Sequence, residues 1–200
     1  MIAVIDYGAG NLRSISNGLR KVGADLKLVE DPGMIGDADG IVLPGVGAFG
    51  DAMEKVKAFK PSIEDAVDSG TPFLGVCLGI QLIFESSEEN PGVGGLGLFR
   101  GTCRKFTGGL KVPHMGWNTV RRVRETPLLE GVEDGSYFYF VHSYHVMPNS
   151  VWVVAGETEY GRTFPSVISE GNVHATQFHP EKSGDNGLRI LENFRDECRR

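Results

Sequence analysis

Cysteine is scarce in this sequence, and its scarcity restricts both the compartment and the class of protein. The 200 residues contain three cysteines, an odd number, and their spacing matches neither a disulfide framework nor a zinc knuckle. Disulfide-stabilised domains belong to oxidising compartments. We therefore expect a protein of a reducing compartment, the cytoplasm.

Long apolar runs and clusters of basic residues are also missing. No apolar run approaches the about 20 residues that a membrane-spanning helix needs. No basic region precedes the strand-like start of the chain, so we expect no membrane span and no signal peptide. The formal net charge is -6, and the one dense basic group, Arg121, Arg122 and Arg124, fits a solvated strand face equally well. We expect neither nucleic acid nor a membrane as a partner.

The remaining composition is typical of a globular protein, with 40% hydrophobic and 23% charged residues. A chain of 200 residues can bury one core well but is short for two. We expect a single domain over residues 1–200.

The first half of the chain alternates strand and helix patterns. Continuous apolar runs are typical of strands covered on both faces, and they occur at 2–6, 26–29, 41–43 and 73–76. Helical spacing of apolar residues follows the N-cap candidate Asn11, recurs twice between 49 and 67, and is expected from Leu78 to Glu85. This order predicts right-handed crossovers and a parallel sheet.

The second half reads differently. The segment 85–101 is rich in loop-forming residues, and strand-like runs follow at 102–106, 118–123, 137–141, 151–155 and 167–178. The last run predicts a hairpin that turns at 170–172, before a C-terminal helix. The predicted fold class is α/β, with a central, mostly parallel sheet flanked by helices and an added antiparallel portion.

The segment Gly75-Val76-Cys77-Leu78-Gly79 has the form of a nucleophile elbow with sulfur in place of oxygen. A strand would turn sharply into a helix, and the flanking glycines would make room for the crossing backbone. The helix N-terminus would favour the thiolate of Cys77. The alternative is an inert buried thiol, which is what we expect of Cys103 and Cys198.

His179-Pro180-Glu181 supplies the groups that such a nucleophile needs. Proline restricts the preceding residue to extended geometry, and residues two apart in an extended segment point to the same side. His179 can therefore act as a base and Glu181 can hold its ring in one tautomer. Alone, the segment would be read as a surface turn.

A glycine-rich segment, Pro-Gly-Val-Gly at 44–47, follows the third strand. With the next three residues it matches a dinucleotide fingerprint, but no acidic residue ends the following strand to hold a ribose. The alternative is an oxyanion strand, in which an N–H of Val46 or Gly47 joins that of Leu78.

Metal ligation finds little support among the histidines. His142 and His145 are three apart, which would put them on opposite faces of a strand, and His114 and His174 have no partner at ligand spacing. We expect no metal and no other cofactor.

Together, the segments 44–47, 75–81 and 179–183 resemble the class I, or triad, glutamine amidotransferases. The segments 6–12, 113–118 and 140–144 narrow this resemblance to the glutaminase subunits of imidazole glycerol phosphate synthases. The resemblance spans nearly the whole chain and shows no departure at the triad positions.

The resemblance implies that Cys77 attacks the side-chain amide of L-glutamine, with His179 as acid and base and Glu181 as orienter. It implies a glutamine pocket formed by Gly45, Gly47, Gln81, His142, Ser143 and Tyr144. Ammonia would pass to a separate cyclase subunit with a (β/α)8-barrel fold in a heterodimer, which makes imidazole glycerol phosphate and aminoimidazole carboxamide ribotide. The residues implied to face that cyclase are Asn11, Trp117, Tyr139 and Lys182.

Three alternatives stay open on the sequence. The cysteine-peptidase-like group shares the elbow, and so does the glutaminase of pyridoxal phosphate synthesis, which lacks the pattern at 113–118. A dinucleotide-binding or regulatory module would depend on the glycines between 45 and 50 alone.

Overall fold

A nine-stranded mixed sheet runs through the computed structural model, which describes residues 1–8 and 11–199. Its strand order is β2-β1-β3-β4-β12-β11-β10-β7-β8. The strands are β1 Ile2–Ile5, β2 Leu26–Val29, β3 Gly40–Gly45, β4 Phe73–Cys77, β7 His114–Arg122, β8 Ser136–His142, β10 Val154–Glu159, β11 Thr163–Glu170 and β12 Val173–Thr176. Strands β2, β1, β3, β4 and β12 pair in parallel, and the others pair antiparallel.

A second, three-stranded sheet consists of β5 Phe84–Ser87, β6 Phe99–Lys105 and β9 Tyr144–Pro148. The helices are α1 Leu12–Lys21, α2 Phe49–Val56, α3 Lys60–Asp68, α4 Leu78–Leu82 and α5 Gly184–Glu197. The predicted α/β class, a mostly parallel sheet flanked by helices with an antiparallel addition, is confirmed.

Apolar residues cover both faces of the large sheet, as the continuous apolar strands predict. In β1, Ala3 and Ile5 pack with residues of α2 and α3, whereas Ile2 and Val4 pack with residues of α1 and α5. The parallel strands are therefore sandwiched between two helical layers, and their carboxyl ends reach the surface at one edge.

Several element boundaries differ from the sequence prediction, and the predicted strand-like runs do not include β9. The elbow helix ends at Leu82 because Phe84 leaves it to pair with Phe99 in the small sheet. This pairing joins residues far apart in the chain, so local helical spacing does not reveal it. The segment expected as a loop from 85 thus holds most of β5 and the start of β6.

Two further differences lie in the antiparallel part. Strand β7 begins at His114 and not at 118, since its residues 114–120 pair with the whole of β8. Residues Val151–Val153 form a 3-10 turn before β10, because the side chain of Ser150 accepts a hydrogen bond from the N–H of Trp152. The hairpin expected between 167 and 178 is present, with its turn between β11 and β12.

Three strand ends meet at the edge where the site lies. Cys77 ends β4 and pairs with Gly45, which ends β3. On the other side of β4, β12 ends at Thr176, shortly before His179. Carboxyl ends of parallel strands lie at one edge of the sheet, so the topology brings the elbow and the His-Pro-Glu segment together. None of the helices in the described ranges has both the length and the apolar character that a membrane span requires.

Candidate active site

Cys77 stands on a strained turn between β4 and α4. Its φ of 57° and ψ of -101° make it the one non-glycine residue with positive φ in the described part of the chain. A Cβ at Gly79 would collide with the carbonyl oxygen of Leu43, and a Cβ at Gly75 would lie 2.9 Å from the backbone of Gly79. The glycines on both sides are therefore required by close backbone packing, which holds the thiol at the strand end.

His179 and Glu181 form a buried pair next to the elbow. His179 Nδ1–H donates to Glu181 Oε1 at 2.8 Å, and both side chains are 1% exposed. Whenever the ring is neutral, this bond leaves Nε2 as the atom that can accept a proton. Burial alone lowers the pKa of His179, but the nearby Cys77 and Glu181 outweigh burial and raise it to about 9.

Asn11 gives this pair a further contact that the sequence does not predict. Its side-chain amide donates to the same Glu181 Oε1 at 2.7 Å. Asn11 precedes α1, but its side chain makes no capping hydrogen bond to that helix. Asn11, which the resemblance implied to face a partner, thus also helps to fix the position of the Glu181 carboxylate.

The three cysteines differ sharply in surroundings. The thiol of Cys77 donates to the carbonyl oxygen of Val141 at 3.7 Å and borders a cavity. Burial raises the pKa of Cys198 to about 12 and also raises that of Cys103. Only Cys77 among them combines access from a cavity with a neighbouring histidine, as a nucleophile requires.

The cavity beside Cys77 has a volume of about 320 Å³. It is lined by Val46, Gly47, Cys77, Leu78, Gln81, Glu89, Pro113, Val141, His142, Ser143 and Tyr144. Eight of these residues are sequence candidates. Gly45 is a candidate that lies outside the lining, because it packs behind the elbow, where a Cβ would meet the hydroxyl of Tyr7 and the side chain of Leu78.

Glu89 is a lining residue that sequence reasoning missed. Its carboxylate accepts a hydrogen bond from the N–H of Phe49 at 2.8 Å, at the start of α2. Next to it, Asn90 Oδ1 accepts from the N–H of Gly50 at 2.8 Å. The acidic pair at 88–89 was the available signal, but it sat in a segment expected to be a loop.

These two contacts also weigh against a dinucleotide site at the glycine-rich segment. A phosphate would bind the first free N–H groups of α2. The N–H groups of Phe49 and Gly50 are already bonded to Glu89 and Asn90.

The side chains of two residues that line the cavity donate hydrogen bonds to a backbone carbonyl. His142 Nδ1–H donates to the carbonyl of Tyr144 at 2.8 Å, and Gln81 Nε2–H donates to the same carbonyl at 3.3 Å. His142 and His145, expected on opposite faces of one strand, lie on β8 and β9 of two different sheets. Residues 1–8 and 11–199 contain no cluster of three or more possible metal ligands.

An exposed aromatic face lies on the outer edge of the large sheet. Trp117 on β7 pairs with Tyr139 on β8, with their ring centroids 6.1 Å apart, and Lys182 Nζ lies 5.9 Å from the Tyr139 centroid. Met115 and Tyr137 extend this set. We call these five residues the Trp117 face, and it unites three of the four residues expected at a partner interface.

The Trp117 face is joined to the histidine through the backbone. His179 N–H donates to the carbonyl of Tyr139 at 2.9 Å, and Tyr139 N–H donates to Ser183 Oγ at 3.0 Å. Ser183 Oγ in turn donates to the carbonyl of His179 at 2.6 Å. The strand that carries Tyr139 therefore also supports the backbone of His179.

Comparisons with known proteins show which family the chain belongs to. The family model for glutamine amidotransferase class-I matches residues 3–198. The chain is 54% identical to the imidazole glycerol phosphate synthase subunit HisH of Halobacterium salinarum, covering 98% of this chain and 93% of the relative. It is 53% identical to the HisH subunit of Methanocaldococcus jannaschii, covering 97% and 98% respectively.

Solved structures share the fold at low sequence identity. A glutamine amidotransferase crystal structure superposes with a TM-score of 0.77 at 18% identity, with 100% of both chains covered. The structure of PurLQS from Thermotoga maritima gives a TM-score of 0.75 at 19% identity, covering 96% of this chain and 96% of that one. Given the family match and the two HisH relatives, the chain belongs to the class-I glutamine amidotransferases and, within them, to the HisH subunits of imidazole glycerol phosphate synthase.

Proposed function

We propose that this chain hydrolyses L-glutamine to glutamate and ammonia and delivers the ammonia to a cyclase subunit. The main support for this function is the position of Cys77, which lies on a strained elbow beside the His179–Glu181 pair and at the wall of a cavity of about 320 Å³. The relatives support this proposal, since both are named as HisH subunits of imidazole glycerol phosphate synthase. We propose that the chain serves histidine biosynthesis.

The residues support a thioester mechanism. The Cys77 proton passes to His179 Nε2, and the thiolate attacks the amide carbon of glutamine. His179 then returns the proton to the leaving nitrogen, the C–N bond breaks, and ammonia departs. Water attacks the thioester as His179 takes its proton, and the C–S bond breaks to release glutamate and the thiolate. Glu181 keeps the ring oriented and stabilises the imidazolium throughout.

Negative charge develops on the carbonyl oxygen, first of the amide and then of the thioester, during the two attacks. The N–H of Leu78, at the first position of α4, is one donor, and an N–H of the Val46–Gly47 segment is the second. The φ of Gly47 is +107°, in a region that few other residues adopt. Because Gly47 has no side chain, its peptide can approach the substrate without obstruction at that position.

The cavity offers complementary groups for the other end of glutamine. Glu89 supplies the one carboxylate of the lining, which suits the α-ammonium group of the substrate. Ser143 and Tyr144 also line the cavity and supply polar groups for the α-carboxylate. In this role Gln81 and His142 shape the wall through the Tyr144 carbonyl.

We propose that the partner is a (β/α)8-barrel cyclase in a heterodimer that docks on the Trp117 face. Exposed tryptophan and tyrosine side chains are typical anchors of protein interfaces, and Trp117 is 57% exposed. The products of the cyclase would be imidazole glycerol phosphate and aminoimidazole carboxamide ribotide.

The family match over 3–198 supports a single domain. A free thiol at the proposed nucleophile supports a cytoplasmic location.

Replacement of the nucleophile in the complex tests the proposed function. Cys77→Ala, assembled with the cyclase and its nucleotide substrate, should lose glutamine-dependent cyclisation and keep cyclisation with an ammonium salt. In the same complex, a diazo-ketone glutamine analogue should add its mass once to the wild-type chain, at Cys77. Glutamine-dependent turnover by the variant, or an adduct on Cys103 or Cys198, would contradict the proposed roles.

A further inference from the structure

A buried line of hydrogen bonds runs from β7 to the wall of the cavity. Asn118 Nδ2 lies 3.2 Å from His114 Nε2, and His114 Nδ1 lies 2.9 Å from His142 Nε2. His142 Nδ1 lies 2.8 Å from the carbonyl oxygen of Tyr144. His114 is 3% exposed and His142 is 5% exposed.

The order of donors along this line is determined from its cavity end. The Tyr144 carbonyl can only accept, so the proton of neutral His142 sits on Nδ1. His142 Nε2 is then an acceptor, and His114 must carry its own proton on Nδ1. His114 Nε2 is left to accept from the amide of Asn118. Both rings are neutral in this arrangement, and every ring nitrogen has a partner.

Aromatic neighbours hold the rings in place. His114 is stacked against Phe140 and Tyr160, with centroids 4.9 Å and 4.1 Å away. The ring of Phe106 meets His142 edge-on at 5.3 Å. Burial also keeps both rings neutral, since it lowers the pKa of His114 to about 4 and that of His142 to about 3.

The line ends at a corner of the chain that forms part of the cavity wall. Ser143 separates β8 in the large sheet from β9 in the small sheet. The carbonyl of Ser143 accepts from the N–H of Phe106 at 3.1 Å, and that of Tyr144 accepts from His142 and, at longer range, from Gln81. The histidine bond is the shortest of these contacts.

We propose that His114 is a positioning residue for glutamine binding, which acts through His142 to hold the Ser143–Tyr144 corner against the substrate. This inference depends on the proposed glutaminase function. His114 does not line the cavity, and it does not touch Cys77 or the His179–Glu181 pair in the contacts described above. Its loss should therefore weaken substrate binding more than it slows the chemical steps.

Two variants of His114 separate this role from simple packing. His114→Leu fills similar space but removes both ring nitrogens, whereas His114→Asn keeps an amide N–H at the position of Nδ1. In the complex with the cyclase, His114→Leu should raise KM for glutamine about tenfold, the effect of one lost buried hydrogen bond. Its kcat should stay within about threefold, and His114→Asn should recover most of the wild-type KM.

The inference fails if His114→Leu leaves KM unchanged, if it lowers kcat alone, or if both variants have the same KM. Wild-type protein that hydrolyses no glutamine, even with cyclase and nucleotide present, would instead refute the proposed function itself. The two failures are therefore distinguishable in one set of assays.

A spectroscopic measurement on the wild-type chain keeps the inference testable even if His114→Leu does not fold. Long-range ¹H–¹⁵N correlation spectra near neutral pH report the tautomer of each ring. Both His114 and His142 should be neutral with the proton on Nδ1. A proton on Nε2 of either ring would reverse the line of donors and overturn the inference.

Discussion

At Cys77 a reactive side chain sits on a backbone conformation that a side chain disfavours. A φ of 57° with ψ of -101° is tolerated because the glycine-flanked crossing of β4 and α4 leaves no other path. Such strain costs roughly 1–3 kcal/mol and is typical of functional turns. The thiol is thus exposed to the cavity at the expense of local stability.

The strain predicts an inverted order of stability for two inactive variants. Glycine is usually about 0.5–1 kcal/mol less favourable than alanine inside an element. At position 77, Cys77→Gly should instead unfold with a free energy about 1 kcal/mol higher than Cys77→Ala, because it relieves the strain. Urea unfolding measures the difference.

Cys103 provides the matched control for that comparison. It lies in β6 and is absent from the positive-φ residues of the described chain. Cys103→Ala should therefore be more stable than Cys103→Gly. The same order at both positions would show that the elbow stores no strain.

The roles of His179 and Glu181 predict unequal losses of activity. His179→Asn removes the proton carrier and should lower kcat by about 10²–10⁴-fold. Glu181→Gln should be milder, since its amide oxygen can still accept from His179 and from Asn11, although the negative charge is lost. Steady-state glutaminase kinetics of both variants decide the order, and a larger loss in Glu181→Gln would contradict these roles.

At the scale of elements, the position of Cys77 depends on how closely α4 crosses β3. The missing side chain of Gly79 allows this contact, because a Cβ there would collide with the carbonyl of Leu43. That carbonyl belongs to the backbone and cannot swing aside as a side chain can.

We therefore expect Gly79→Ala to be strongly destabilising. Forcing a methyl group into a filled crossing costs about 1–3 kcal/mol, and the elbow should shift with the helix. Gly36→Ala is the control, since no atom lies within 4 Å of its Cβ position, and it should change stability by no more than about 0.5 kcal/mol. Equal unfolding free energies for the two variants would refute the packing argument.

For the whole molecule, buried histidines make stability depend on pH. His114 and His142 have folded pKa values of about 4 and about 3, well below the ordinary value of 6.5. The unfolded chain therefore binds their protons first, and stability is lost as pH falls from about 6.5 toward 4. His179 acts in the opposite direction, because its raised pKa adds stability that is lost as pH rises through about 9.

This linkage predicts that the free energy of unfolding depends less on pH in a variant that lacks one buried histidine. Each such ring should contribute a slope of about 1.4 kcal/mol per pH unit on the acid side. Urea unfolding of wild type and His114→Leu across that range measures the difference, in which the contributions of the carboxylates cancel. Parallel profiles would show that His114 is protonated as readily in the folded state as in the unfolded one.

Partner docking is the second property of the whole molecule. We expect the isolated chain to have low glutaminase activity because a peptide N–H of the Val46–Gly47 segment is not held toward the substrate. Cyclase with its nucleotide should raise kcat by about 10²–10³-fold, the usual worth of one oxyanion donor.

Two exposed tryptophans allow that activation to be assigned to a surface. Trp117→Ala should reduce it, whereas Trp152→Ala, which removes a side chain that is 78% exposed and lies outside the Trp117 face, should not. Full activity of the isolated chain, or equal effects of both variants, would exclude the proposed docking.

The sequence by itself determined the features that depend on neighbouring residues. The elbow around Cys77 and the spacing of His179 and Glu181 are local, since a few glycines and one proline restrict the backbone there. Alternation of apolar runs with helical spacing was enough to predict the α/β sheet, because burial on both faces leaves a continuous pattern.

Only the tertiary structure decided the contacts between distant segments. The bond from Asn11 to Glu181, the place of Glu89 at the cavity and the pairing of His114 with His142 each join residues that no local pattern relates. The early end of α4 has the same origin, since Phe84 pairs with Phe99 across a loop. Such contacts arise when the chain closes on itself, and their energies depend on what packing brings together and not on sequence spacing.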